Sequence, residues 1–281
     1  MPVKSFRPLT PSTRYLTIAS FDEITKSKPE KKLIRTRKKT GGRNCYGRVT
    51  SRGHGGGHKQ KIRTVDFKRA KHGVEAKVIG IEYDPLRTAR LALLEYPDGE
   101  RTYILAPVGL KVGAKVVSGP GAEPEVGNCI PLKSVPVGLP IHNLELRAGQ
   151  GAQIVRSAGA AASLMSREGG EAMVRLPSGE IRKIDENCYA TIGQVGNVEH
   201  EKVMLGKAGR SRHRGIHPLS RAVAKNPVDH PMGGGAGKTS GGGHPVTPWG
   251  VITKGFKTRR HNRYSDRSIV VRRNGRPMKV K

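Results

Sequence analysis

The chain has 281 residues, 52 Lys or Arg against 22 Asp or Glu, a formal net charge of +30, and Gly and Pro at about a fifth of its positions. With 35% hydrophobic and 4% aromatic residues it is too lean for one core along its whole length, and too rich in helix breakers for a long helical bundle. No run of about 18 apolar residues and no apolar leader occurs, so a cytoplasmic protein without a membrane partner is expected.

The charge is unevenly placed. Residues 1–72 carry 20 basic and 4 acidic residues, residues 73–200 carry 13 and 15, and residues 201–281 carry 19 and 3. A near-neutral body between two strongly cationic extensions suits a polyanion-binding protein, and extensions so poor in apolar residues should not fold alone. Cys45, Cys129 and Cys188 are far apart and form no CxxC pair, which excludes a disulfide framework or a zinc ribbon.

Residues 1–72 read as a basic N-terminal extension. After Lys31-Lys32 and Arg35 to Lys39 come Arg43, Asn44, Arg48, Arg52, His54, His58, Lys59, Lys61, Arg63, Lys68 and Arg69, interspersed with glycine. The guanidinium fork binds phosphate bidentately and stacks on bases, so these residues are expected to contact RNA. His54 and His58 lie four apart, but glycines and arginines surround them and no carboxylate or Cys stands at ligand spacing, so no metal site is expected.

Residues 73–134 and 135–200 change character: short apolar runs cut by turns, with no 3.6-residue period. Strands are expected at Val74 to Tyr83, Thr88 to Tyr96, Arg101 to Leu105 and Ala114 to Ser118, with Pro97-Asp98-Gly99 as a hairpin turn. Val135 to Gly138 reads as a linker. Further strands follow at Leu144 to Leu146, Ala152 to Arg156, Ala160 to Ser166, Ala172 to Leu176, Glu180 to Ile184 and Ala190 to Val195, with Pro177-Ser178-Gly179 as a second hairpin turn. The fold class is all-β. Two consecutive small barrels suit such short strands, because closure removes exposed edges, and oligonucleotide-binding-like and SH3-like barrels both fit.

Residues 201–281 read as a basic, Gly-rich C-terminal extension with a turn or two of helix at Leu219 to Ala224. Lys207, Arg210, Arg212, His213, Arg214, Asn226, His230, Lys238, Lys257, Arg259, Arg260, Arg263 and Arg267 are its expected RNA contacts. His213 and His217 repeat the four-residue spacing without a helical context. Within Gly233 to Gly243, Gly237-Lys238-Thr239 matches the end of a nucleotide phosphate-loop motif, but Met232 stands where its first glycine is required. Asp229-His230 could move a proton near neutral pH, yet no Ser or Cys nucleophile accompanies it, so His230 is the one weak catalytic candidate and no enzyme is expected. Tyr46, Phe67, Trp249, Phe256 and Tyr264 lie where the extensions offer no core; they read either as stacking on an unpaired base or wedging into RNA or, in the plainer reading, as packing on the barrel surface, and Trp249 counts among the expected RNA contacts.

The segments Arg43 to Arg48, Arg52 to Lys59, Tyr83-Asp84-Pro85, Gly151 to Ala161, Gly196-Asn197, Gly206 to Arg210 and Asn226 to Gly235 resemble the bacterial type of the universal large-subunit ribosomal protein two family, from near Ser5 to the C-terminus. The resemblance implies an oligonucleotide-binding-like barrel followed by an SH3-like barrel, with extensions threading into large-subunit rRNA. It also implies a position in the ribosome near the peptidyl transferase centre, with support for subunit association, tRNA binding and peptide-bond formation. Its partners would be large-subunit rRNA, small-subunit rRNA at the subunit interface, neighbouring ribosomal proteins and the tRNA region. No cofactor is implied, with Mg²⁺ expected only alongside rRNA, and His230 matches the histidine the family places toward that centre.

Overall fold

A computed structural model describes residues 3–237, 239, 242–260 and 263–278. The chain divides into two compact units: Met1–Lys38, Lys59–Lys207 and Tyr264–Lys281 form the first, and Lys39–His58 with Ala208–Arg263 the second.

Fifteen short strands belong to the first unit. They are β1 (Val3–Ser5), β2 (Thr17–Ala19), β3 (Ile34–Thr36), β4 (Lys61–Arg63), β5 (Ala76–Glu82), β6 (Leu91–Glu95), β7 (Arg101–Leu105), β8 (Lys115–Val116), β9 (Cys129–Pro131), β10 (Pro140–His142), β11 (Ala162–Glu168), β12 (Glu171–Arg175), β13 (Ile181–Asp185), β14 (Tyr189–Ile192) and β15 (Ile269–Val271). The protein is all-β. The strands pair into a four-stranded sheet β7-β6-β5-β8, a seven-stranded sheet β15-β13-β12-β11-β10-β14-β9, and two two-stranded ribbons, β1-β2 and β3-β4. Among the described residues, every pairing of one of these strands with another is antiparallel.

In the four-stranded sheet both faces are covered, which is why Leu91 to Leu94 runs apolar without alternation. Ala92, Leu94 and Ile104 face one cluster with Ala76 and Val78, whereas Leu91, Leu93, Tyr103 and Leu105 face another with Val195, Leu33, Val65 and Phe67. That second cluster revises the expectation for residues 1–72. Part of this basic segment packs as a lid on the sheet, held by a polar cluster: Tyr103 Oη donates to Glu82 Oε2 at 2.6 Å, the Glu30 amide donates to Tyr103 Oη at 2.8 Å, and Arg101 Nη1 donates to Glu30 Oε2 at 3.0 Å.

The seven-stranded sheet encloses the third cluster, centred on Ile130, Ile141, Leu144, Leu164, Val174 and Ile192. Its β9 edge lies ahead of the Val135 to Gly138 stretch, and its other edge, β15, comes from the basic C-terminal segment. The hairpin turns form where the sequence places them, with the Gly99 amide donating to Tyr96 O and the Gly179 amide to Leu176 O, each at 2.9 Å.

Two expected strands are absent. Leu144 and Ile154 meet only as an isolated bridge, because Asn143 and Val155 adopt left-handed φ of 50° and 55°. The buried Glu145 carboxylate gathers the loop instead, accepting from the amides of Gly151 (2.7 Å), Tyr189 (3.0 Å) and Gly149 (3.3 Å). At Leu219 to Ala224 only a single 3-10 turn, Ala222–Ala224, forms. The α-helix of the C-terminal segment is α1 (Ala208–His213), whose cationic sequence carries no apolar stripe to announce it.

Candidate nucleic-acid interface

The second unit combines fifteen Lys and Arg with one acidic residue, Asp229. Its backbone is held by segments from opposite ends of the chain. The Gly55 amide donates to Gly215 O (2.9 Å), the His58 amide to His213 O (2.8 Å) and the His217 amide to Gly53 O (2.8 Å), around an antiparallel bridge between His54 and Ile216. Lys39 Nζ reaches into the same loop and donates to the carbonyls of Gly56 (2.9 Å), Gly57 (2.5 Å) and His58 (2.8 Å). Arg212 Nη1 donates to His217 Nδ1 at 2.7 Å. The paired segments leave an open hollow of about 590 Å³ whose rim includes Lys39, Arg43, Ser51, His54 and His217.

Beside it, the Asn44 side-chain oxygen accepts from the amides of Tyr46 and Arg48, both at 3.0 Å, while Arg43 and Val49 bridge. The resulting tight turn holds Arg43, Tyr46 and Arg48 in solvent. Sequence reading takes Asn44 as an RNA contact; the structure uses its carbonyl oxygen to shape the turn that presents its neighbours.

Around Asn226 the chain winds on itself. The amides of Asp229 (3.0 Å) and His230 (3.3 Å) donate to Asn226 O, the Gly233 amide to His230 O (2.9 Å), and the Gly234 amide to Lys225 O (2.8 Å). His230 is buried, and its Nδ1 accepts from the Met232 amide at 3.1 Å. An imidazole engaged this way holds a turn together, with no nucleophile hydrogen-bonded to it, and His230 is the one buried residue of this unit among those described. Lys238 lies outside the described residues.

The expected RNA contacts therefore fall into distinct settings. Arg43, Asn44, Arg48, Arg52, His54, His58, Arg212, His213, Arg214, Asn226, Trp249, Lys257, Arg259, Arg260 and Arg263 are exposed in the second unit, with Arg210 half-buried; Lys59, Lys61, Lys68, Lys207 and Arg267 are exposed in the first, with Arg63 half-buried. Arg69 needs correcting. Its guanidinium is buried and donates to Gly127 O at 3.3 Å, while its carbonyl accepts from Ser118 Oγ at 2.8 Å, so it braces the interior rather than meeting a ligand. Charge alone cannot separate such an arginine from its exposed neighbours.

Sequence reading also passes over a pair in the neutral body. The guanidinium groups of Arg87 and Arg156 lie 5.0 and 4.6 Å from the centroid of the Phe67 ring. Arg87 Nε lies 3.6 Å from Asp84 Oδ2, whereas Arg156 donates to the backbone carbonyl of Ala152 at 3.3 Å. Burial, and secondarily the Arg87 charge, pushes the Arg156 guanidinium below its ordinary range. Two cations gathered on one aromatic ring with a single carboxylate beside them form a site that an anion would relieve. Phe67 thus packs on the body, and Tyr264 receives Arg147 at 5.8 Å.

Among the described residues no helix is long and apolar enough to cross a membrane, and no group of three His, Cys, Asp or Glu gathers as a metal set. Two family models match the chain: residues 30–118 match Ribosomal Proteins L2, RNA binding N-terminal domain, and residues 125–250 match Ribosomal Proteins L2, C-terminal domain.

Proposed function

The chain belongs to the ribosomal protein L2 family, and from that premise we propose that it is a primary rRNA-binding component that neutralises and orders closely packed rRNA near the peptidyl transferase centre. At the coarser level it is a protein of the large ribosomal subunit with an RNA-binding N-terminal domain. The observation that carries the finer reading is the second unit: fifteen cations, one carboxylate, one buried side chain among the described residues and a glycine-rich backbone. Packed phosphates repel one another, and fixed cations on a thin backbone relieve that repulsion without the entropic cost of holding mobile counterions.

The role is architectural rather than catalytic in our reading, since His230 is enclosed by the turn it stabilises. Support for subunit association, tRNA binding and peptide-bond formation would follow from rRNA held in place. Contacts with small-subunit rRNA and neighbouring ribosomal proteins, and a cytoplasmic location, belong to the same proposal.

The test is fractionation of a lysate on a sucrose gradient, followed by a high-salt wash and immunoblotting. Comigration with the large subunit that survives the wash is expected; release to the soluble pool, or comigration with DNA, would overturn the reading. The arginine pair gives a finer prediction. Arg156→Gln should weaken binding to large-subunit rRNA about tenfold at low salt and make the dependence of log K on log salt shallower by about one phosphate's worth. Filter-binding titrations across a salt series measure both, and an unchanged slope would remove Arg156 from the interface.

A further inference from the structure

We propose that Trp249 is a stacking platform for an unpaired nucleobase of rRNA, a proposal that rests on reading the second unit as an rRNA-binding body. The observation is how the side chain is presented. Thr247-Pro248-Trp249-Gly250 forms a β-turn closed by the Gly250 amide donating to Thr247 O at 2.9 Å, with Pro248 fixing the position ahead of the indole. Below the turn the Thr247 amide donates to Val251 O (2.8 Å), the Val251 amide to Thr247 Oγ1 (3.2 Å), and both the amide (2.9 Å) and hydroxyl (2.8 Å) of Thr253 to Pro245 O, while Val246 and Ile252 bridge. The Val246 amide also donates to Met232 Sδ at 3.3 Å, which ties the hairpin to the His230 turn.

At the apex of this braced hairpin Trp249 is 79% exposed, and among the described residues it makes no ring-stacking or cation–π contact. The braced turn already orders the backbone that carries the indole, so binding has only two side-chain torsions left to order there, and an indole offers a large flat face with a single N–H donor. That chemistry suits the face of a base better than a phosphate. The surroundings select the polymer: the sequence has no Asp or Glu between Asp229 and Asp266, and Lys254, Lys257, Arg259 and Arg260 are exposed beyond the hairpin. Cations on the backbone and an aromatic on the base is the standard division of labour at single-stranded sites, and it is tolerant of sequence because every base has a π face. In duplex RNA the bases already stack on one another, so the ligand is a bulged, looped or extruded nucleotide.

Trp249 is the chain's one tryptophan, so indole fluorescence of the full-length protein reports this site alone. Titration with single-stranded oligo-adenylate at fixed salt should quench it, a paired RNA duplex of equal length should quench it much less, and large-subunit rRNA should shield it from acrylamide. Trp249→Ala should weaken oligo-adenylate binding roughly 5- to 100-fold and leave duplex binding unchanged, whereas Trp249→Phe should restore most of the loss. Equal quenching by duplex, or unchanged oligo-adenylate affinity in Trp249→Ala, would overturn the proposal. So would shielding that arises only when other ribosomal proteins are added to rRNA, since a protein surface would then cover the indole. If the full-length chain binds rRNA through high salt yet Trp249 gives none of these responses, the stacking site alone falls; if it fails to bind rRNA at all, the wider reading falls with it.

Discussion

Gly57→Ala is expected to lower the affinity of the full-length protein for large-subunit rRNA by a few hundredfold, while Gly47→Ala, earlier in the same glycine-rich segment, should cost only about tenfold. Both glycines have left-handed backbones, with φ of +76° and +73°, so both substitutions carry the same penalty of about 1 to 2 kcal/mol for placing a Cβ there. They differ in what the new atom meets. A Cβ on Gly47 has nothing within 4 Å, whereas one on Gly57 would lie 2.6 Å from Gly215 N, 2.8 Å from Gly215 Cα and 2.9 Å from His213 O. Those neighbours are all backbone and cannot rotate away, so the two segments must separate, at a further cost of about 1 to 3 kcal/mol. The unit has only His230 buried among its described residues, so little apolar burial offsets chain entropy, and ordering should be coupled to RNA binding. Strain in the ordered form then appears as lost affinity. Filter binding at fixed salt measures the difference between the two variants, and equal affinities would mean that the pairing of residues 53–58 with 213–217 is not part of the bound form.

The hairpins around Pro97-Asp98-Gly99 and Pro177-Ser178-Gly179 are legible because a turn signal and its flanking apolar runs are local in sequence. The role of Phe67 is not. Leu33, Val65 and Phe67 are three apolar residues scattered through a cationic stretch, and only the four-stranded sheet, folded from residues beyond them, shows that they cover its second face. β9 and β15 are similarly hidden, since three residues carry no period and their partners, β14 and β13, are fixed by tertiary pairing.

At the interface, composition reveals which segments are cationic but not that His54 and Ile216 lie opposite each other, because nothing local links the two ends of the chain. It also counts Arg69 and Arg48 alike, although one is buried against Gly127 and the other stands in solvent. Arg87 and Arg156 escape notice for the converse reason: each is an isolated cation in a neutral region, and their meaning lies in sharing Phe67. A glycine-rich, arginine-rich surface therefore specifies its ligand class through charge, while its geometry is specified by close backbone approaches that admit no Cβ.

The first unit, with its own cores, should lose stability as the pH falls below about 6.5, and His142 is the cause. Its ring is fully buried on β10, with Nδ1 donating to Gly193 O at 2.8 Å and Nε2 without a hydrogen-bond partner. Burial pushes its pKa down to about 4; the bond to Gly193 opposes that shift and the Arg69 charge adds to it. A depressed histidine is neutral in the fold and takes a proton on unfolding, so between about 6.5 and 4 the unfolded chain binds more protons than the folded one. Stability is full above that window, falls by about 1.4 kcal/mol per pH unit within it, and levels near pH 4 after a total loss of about 3 kcal/mol. Carboxylates begin to titrate near the lower end, so the clean range is pH 7.5 to 5. Over it the urea midpoint of the full-length protein should drop with its m-value unchanged. His142→Asn keeps an N–H donor for Gly193 O but removes the titrating nitrogen, so it should be less stable at pH 7.5 and show a much flatter pH profile. If it keeps the full slope, another group carries the acid sensitivity; if the slope disappears, a single unsatisfied imidazole nitrogen sets the acid limit of the first unit.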